Sequence, residues 1–254
     1  MHGAQATSEF LVTGAFLAGR LREHVRLEDL VAIEAMMGEP RQLQDGERLI
    51  ARGETAVRST MLLEGFMINR IMRDGKRYIV GVHVPGDFVD LHGFALKHLD
   101  HDIVTAGPVR IAQVERDALR VVTQERSGVA QALWFATLLD AAINRQWIRN
   151  LEALDAPQRI AHLYAELHHR LRLIGRNVSR ALRTPFTQTD LADMCGVSAI
   201  HANRAVARIR ELGLGEIRRG DLYVSDWAAL ERYACFDPGY LYPAAMPVPL
   251  GNTT

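Results

Sequence analysis

Cysteine is scarce in this chain. Of 254 residues only Cys195 and Cys235 are cysteines. Two thiols build neither a disulfide framework nor a four-cysteine zinc site, which points to a reducing, intracellular setting. Long apolar runs are missing too. Phe10–Leu21 is moderately apolar but short, broken by Gly14 and Gly19, and without a basic leader. It predicts neither a signal peptide nor a membrane span, so a soluble, cytoplasmic chain is expected, with no membrane partner. Charge of one sign is not in excess, because 30 basic residues face 30 acidic ones. Any nucleic-acid partner must therefore meet a local basic surface. Repeats, low-complexity segments, phosphate-binding glycine loops and a recognisable nucleophile triad are absent, which leaves no basis for catalysis. No cofactor is implied.

What is present changes texture along the chain. Leu27, Leu30, Val31, Glu34 and Met37 recur at helical spacing and end at Gly38 before Pro40, which predicts a short amphipathic helix. From Arg41 to about Val114, short apolar runs alternate with turn signals at Asp45-Gly46, Arg52-Gly53, Asp74-Gly75, Pro85-Gly86-Asp87 and Gly107-Pro108. That rhythm predicts an antiparallel roll or jelly roll, with Asp74-Gly75 as a hairpin turn. From Ser127 to Leu154 glycine and proline nearly vanish. A helix of that length spans roughly 40 Å. One stripe holds Leu133, Ala136, Asp140, Ile143, Trp147 and Leu151; another holds Trp134, Leu138, Ala141, Arg145 and Ile148. A single apolar face covers the roll, and a second needs a partner such as the same helix of another copy. The expected homodimer residues are Leu133, Trp134, Leu138, Ala141, Arg145 and Ile148. A buried hairpin helix within one domain is the plainer alternative. Asp155-Ala156-Pro157-Gln158 then reads as a capped helix start.

The segment Thr187–Leu214 is the most informative. Thr187 caps a first helix, Gly196 supplies a tight turn, and Ser198 caps a second helix. Leu191, Cys195, Ala202, Ala205, Val206 and Ile209 fall on inward positions, leaving Ile200, Asn203, Arg204, Ala207 and Arg208 outward beside His201. Arginine reads a guanine edge, asparagine an adenine edge, and an aliphatic group a thymine methyl, so this face suits a major groove of double-stranded DNA. A helical hairpin with a merely solvated face is the alternative. Arg170, Arg172, Arg176, Arg180 and Arg183 precede the motif with no carboxylate between them, as phosphate contacts require. After Gly213, LGEIRRGDLYVSDW reads strand, turn, strand, a wing with Arg218 and Arg219 at its tip. The expected DNA-binding residues are Arg204 as principal base reader, tuned by Asn203, Ile200 and His201, with Thr187, Gln188, Ser198, Arg208, Arg218 and Arg219 around them.

Taken together, GERLIARGE (46–54), MLLEGF (61–66), VPGDF (84–88), NLEALDAPQRIAHL (150–163) and the helix-turn-helix resemble the CRP/FNR regulators over roughly residues 27–233. The resemblance implies an α+β chain in three parts. These are a cyclic-nucleotide-binding-like sensory roll (1–126), a dimerisation helix (127–154) and a winged helix-turn-helix with its tail (155–254). It also implies RNA polymerase as a partner. Departures matter as much. Where cyclic-AMP-binding members carry a glycine-glutamate pair, this chain has Asp90 and Leu91, and where they carry arginine-serine it has His101 and Asp102. Leucine accepts no ribose proton and aspartate opposes a phosphate, so another effector, or none, is expected. Leu91, His92, His101 and Asp102 are the pocket candidates. The cysteines that hold a cluster in oxygen-sensing members are missing. Ile200 stands where a glutamate is common, so the family's usual half-site is not assumed.

Three alternatives stay open at this level. His83, His92, His98 and His101 gather in the roll, but spacing does not make them a metal site, and a cupin-type enzyme needs a His-x-His pair that is not there. Cys195 is a small core residue or a redox switch. The dimer binds DNA constitutively or under a signal.

Overall fold

The structure, a computed structural model, describes residues 10–176 and 178–244, His92 by its backbone alone. After a run of turns over residues 11–24, the first half comprises α1 (Leu27–Met36), β1 (Arg41–Leu43), β2 (Arg48–Ile50), β3 (Arg58–Arg73), β4 (Lys76–His83), α2 (Leu91–Leu96), β5 (Asp102–Glu115) and α3 (Arg116–Glu125). The strands are antiparallel in the order β1-β5-β3-β4, with β2 also on β5. Asp74 (φ 52°) and Gly75 (φ 73°) link Arg73 to its partner Lys76. Two left-handed residues in a two-residue loop match the right-handed twist of the ribbon.

Two expectations fail here for physical reasons. Gly107-Pro108 is no turn but lies inside β5, where the β3–β5 register slips between Glu64 and Phe66. Gly65 (φ 86°) faces it, and a Cβ there would stand 2.6 Å from Pro108 O. The two glycines bend paired strands together, which a local turn signal cannot distinguish from a chain reversal. In α1 the buried residues are Asp29, Leu30 and Ile33, while Leu27 and Val31 are exposed. Asp29 goes inside because Arg26 and Arg126 both meet its carboxylate.

The stalk α4 (Ser127–Ala153) runs without a break to Leu154, which is extended (φ −117°, ψ 145°). Asp155 then caps α5 (Ala156–Leu173), its carboxylate accepting from Gln158 N at 2.9 Å while Gln158 Oε1 accepts from Asp155 N at 3.1 Å. Beyond it come β6 (Ala181–Leu182), α6 (Gln188–Cys195), α7 (Ala199–Glu211), β7 (Glu216–Arg218), β8 (Asp221–Tyr223) and α8 (Trp227–Tyr233). Ile160, Ala161, Tyr164 and Leu167 make α5 the spine of this half, packed on α6, α7 and α8. The same core continues into the roll through Phe66, Ile79 and Val82, with Phe66 edge-on to Phe186 at 5.3 Å between ring centres. The architecture is α+β throughout.

Candidate nucleic-acid interface

Local chemistry fixes both helices of the motif. Thr187 Oγ1 accepts from Asp190 N at 3.1 Å, and the Asp190 carboxylate accepts from Thr187 N at 2.8 Å. The helix ends at Gly196 in the left-handed region (φ 63°), and Arg159 Nη1 donates to Cys195 O at 2.8 Å, answering an orphan carbonyl of its last turn. Ser198 Oγ accepts from His201 N at 3.3 Å and lies 2.7 Å from His201 Nδ1, so the cap also orients the imidazole. Ala202, Ala205 and Ile209 are buried, and Val206 is half-buried. On the opposite side Ile200 (65% exposed), His201, Asn203, Arg204 and Arg208 reach solvent. Thr187, Gln188 and Ser198 are exposed at two helix N-termini, where free N–H groups and the dipole favour phosphate.

The wing is tied down from below. Arg219 (φ 52°) and Gly220 (φ 91°) form the two-residue loop between Arg218 and Asp221. Tyr164 Oη and Thr184 Oγ1 each donate to Gly220 O at 2.7 Å, which fastens the wing tip to α5. Arg219 is exposed at the tip; Arg218 bonds Glu216 at 2.6 Å and lies over the Tyr223 ring.

The arginines before the motif divide. Arg170 is buried, donating to Asp87 Oδ2, Val82 O and Glu166 Oε1, and Arg176 donates to Leu63 O at 3.3 Å. Arg170 holds α5 to the roll and is withdrawn from the expected phosphate surface, while Arg176, just past α5, stays exposed. Arg183 pairs with Asp221 at 2.9 Å. Their unbroken positive run says nothing about direction, because Asp87 and Asp221, which answer Arg170 and Arg183, lie far away in sequence.

On the stalk, Trp134, Leu138 and Ile148 are exposed, Arg145 is exposed and Ala141 half-buried. Leu133 is corrected: it is 6% exposed and packs with Val129, Leu63 and Phe88 in its own core, so it has no surface to offer a partner. Leu151 is exposed and belongs with the outward stripe. The effector candidates scatter. Leu91 is buried in the roll's core, the side chain of His92 lies outside the described residues, and Asp102 is held by Arg70 at 2.8 Å and Arg52 N at 2.9 Å. His101, 2.7 Å from Asp100, lines a cavity between roll and stalk. Elsewhere in the roll, His83 Nε2 lies 2.9 Å from Asn69 Oδ1, and His98 is 3.4 Å from Thr55 Oγ1. Among the described residues no three His, Cys, Asp or Glu side chains group to hold a metal ion, and no helix is long and apolar enough to cross a membrane. Cys195 is buried, and desolvation pushes its thiol up to about 12, so it carries no thiolate at neutral pH.

One residue escaped the sequence altogether. Arg77, just past the β3–β4 turn, bonds Asp190 at 2.7 Å and Asp193 at 2.6 Å, clamping the first helix of the motif to the roll. Nothing local to Arg77 or Asp193 announces a bond across 116 residues.

The comparisons agree with this geometry. Residues 40–126 match the cyclic nucleotide-binding domain model and residues 158–233 the Crp-like helix-turn-helix domain model. The transcriptional activator protein FnrL of Cereibacter sphaeroides is 27% identical over 197 residues, 75% of this chain and 78% of that protein. The nitrogen fixation regulation protein FixK of Bradyrhizobium diazoefficiens is 22% identical, over 78% of this chain and 83% of that protein. Among solved structures, FixK2 from Bradyrhizobium japonicum superposes with a TM-score of 0.69 at 19% identity, covering 77% of this chain and 96% of that one. With a roll, a stalk and a winged helix-turn-helix in this order, the chain belongs to the CRP/FNR family of transcription regulators.

Proposed function

We propose that the protein acts as a homodimer, paired along Trp134, Leu138, Ala141, Arg145 and Ile148 of α4, that reads a near-palindromic operator. Each protomer presents α7 to one of two successive major grooves about one helical turn apart. The division of labour is sensory roll to residue 126, stalk over 127–154 and DNA-binding unit from 155. The observation that carries this is the outward face of α7, where Ile200 and Arg204 stand together in solvent on a helix whose other face is core. In this proposal Arg204 is the principal base reader, Asn203, Ile200 and His201 tune the site, and Thr187, Gln188, Ser198 and Arg208 meet phosphate. Arg218 and Arg219 follow the wing to the backbone.

Selection of bound sequences from random duplexes tests the proposal. Two inverted half-sites are expected, and Arg204→Ala should weaken binding to the selected operator by about 1–3 kcal/mol while largely sparing random DNA. Equal losses on both would remove Arg204 from base reading. A signal other than a cyclic nucleotide fits the roll, since Leu91 is core and Asp102 is already bonded to Arg70.

A further inference from the structure

A cavity of about 710 Å³ opens where three parts of the molecule meet. Ile71, Tyr78 and Val80 of the β3–β4 ribbon form one wall, Trp147 and Ile148 of the stalk a second. Leu163 of α5 and Met194 near the end of α6 close it from the DNA-binding side. Its size is that of small-molecule sites, which are apolar with a few placed polar groups. Ala141 and Ile148 belong both to this wall and to the proposed dimer face, so a partner stalk would roof the opening.

The polar lining decides what fits. Three carboxylates, Asp100, Asp140 and Asp193, face one guanidinium, Arg159. Arg159 already donates to Cys195 O, and Asp193 already holds Arg77. His162 is buried, and desolvation depresses its pKa, so it is neutral at physiological pH. An anionic group entering here leaves water to sit beside Asp100 and Asp140, while Arg159 is engaged by Cys195 O and Arg77 is shared between Asp190 and Asp193, and like charges at such distances oppose one another. An uncharged aromatic or aliphatic body meets Ile71, Tyr78, Val80 and Trp147 without that cost.

We infer that this cavity takes an uncharged, mainly apolar small molecule and rejects phosphate-, sulfonate- or carboxylate-bearing ones, and that its occupant touches roll, stalk and DNA-binding unit at once. This names the effector class for the regulator reading and rests on it for any consequence at DNA, though not for the binding itself.

Two fluorescent probes that share an aromatic skeleton and differ by one anion test it on the full chain. These are N-phenyl-1-naphthylamine, which is uncharged, and 8-anilino-1-naphthalenesulfonate. The amine should bind saturably, one per chain, roughly tenfold or more tighter than the sulfonate, a ratio that equals about 1.4 kcal/mol. Excess cyclic AMP should not displace it. Val80→Trp, or Ile71→Trp as a second filling variant, should abolish the site while thermal unfolding shows the fold retained. Sulfonate binding as tight as the amine, displacement by cyclic AMP, or amine binding untouched in both folded variants each overturns the assignment. Operator binding by the same preparations is read separately. Its absence with amine bound sinks the regulator reading alone, and absence of amine binding with operator bound sinks this inference alone.

Discussion

Asp90 is a carboxyl group in a place that penalises its charge. It is 2% exposed, and its main compensation is Thr60, whose N–H donates to Oδ1 at 2.7 Å. Desolvation pushes its pKa up to about 7. Because the native state then holds a proton that the unfolded chain has released, this group's contribution is complete below about pH 4 and is lost as pH rises through about 7. The difference corresponds to roughly 4 kcal/mol. Asp90→Asn keeps the acceptor and removes the titration, so its stability relative to the native protein should grow from pH 4.5 to 7.5 in urea unfolding. Parallel pH profiles would show that Asp90 titrates as an ordinary carboxyl. Two glycines make a second residue-scale comparison. Gly75 (φ 73°) has open space where a Cβ would stand, whereas at Gly220 (φ 91°) that atom would lie 2.3 Å from Phe186 O. Gly75→Ala should cost about 1 kcal/mol, from backbone strain alone. Gly220→Ala should cost about 2–4 kcal/mol, because backbone must move and the Tyr164 anchor with it. Equal losses in melting temperature would show that the wing yields freely.

At the scale of elements, what was legible in the sequence is what is local. The capping box of α5, the Thr187 and Ser198 caps and the Asp74-Gly75 hairpin are each written within four residues, and the structure places them there. Gly107 defeats a local reading because a glycine that bends two paired strands looks, in one strand, like a turn. The burial of Asp29 and Arg170 is not legible locally, because it is licensed in part by partners elsewhere in the chain, Arg126 for one and Asp87 for the other. The Arg77 clamp is the extreme case, and it has a consequence. Its side chain is 31% exposed, and it bridges β4 to both Asp190 and Asp193 of α6. Partial exposure screens such a pair, so Arg77→Ala should cost no more than about 1–2 kcal/mol overall. The local effect should be larger, since it leaves two carboxylates one turn apart without their cation. Amide exchange in α6 should accelerate while that in β5 and the Leu133 side of α4 stays slow. Uniform acceleration would mean that roll and motif open only together, and that the clamp is no separate joint.

For the whole molecule, the stalk has two faces with different work to do. Toward its own subunit it buries Val129, Ala132, Leu133, Leu139, Ala142 and Ile143. Away from it stand Trp134, Leu138, Ala141, Arg145 and Ile148, with Trp134 66% and Ile148 68% exposed. Their spacings of four, three, four and three residues alternate in the heptad pattern, which keeps one seam facing a partner helix in a left-handed supercoil. In the proposed dimer, a parallel pair about a two-fold axis puts both DNA-binding units at the same end, which the proposed inverted-repeat operator demands. Leu138, 50% exposed, separates pairing from folding. Leu138→Glu places two carboxylates opposite one another in the seam, so light scattering should show a monomer with unchanged thermal unfolding at the protomer level. That monomer should bind a single half-site as before but lose about 10²–10⁴ in affinity for the full operator, the advantage of a tethered second site. A variant that remains dimeric would move the interface off α4. A monomer that keeps full operator affinity would instead remove the two-fold from recognition, and with it the reason for the stalk's second apolar face.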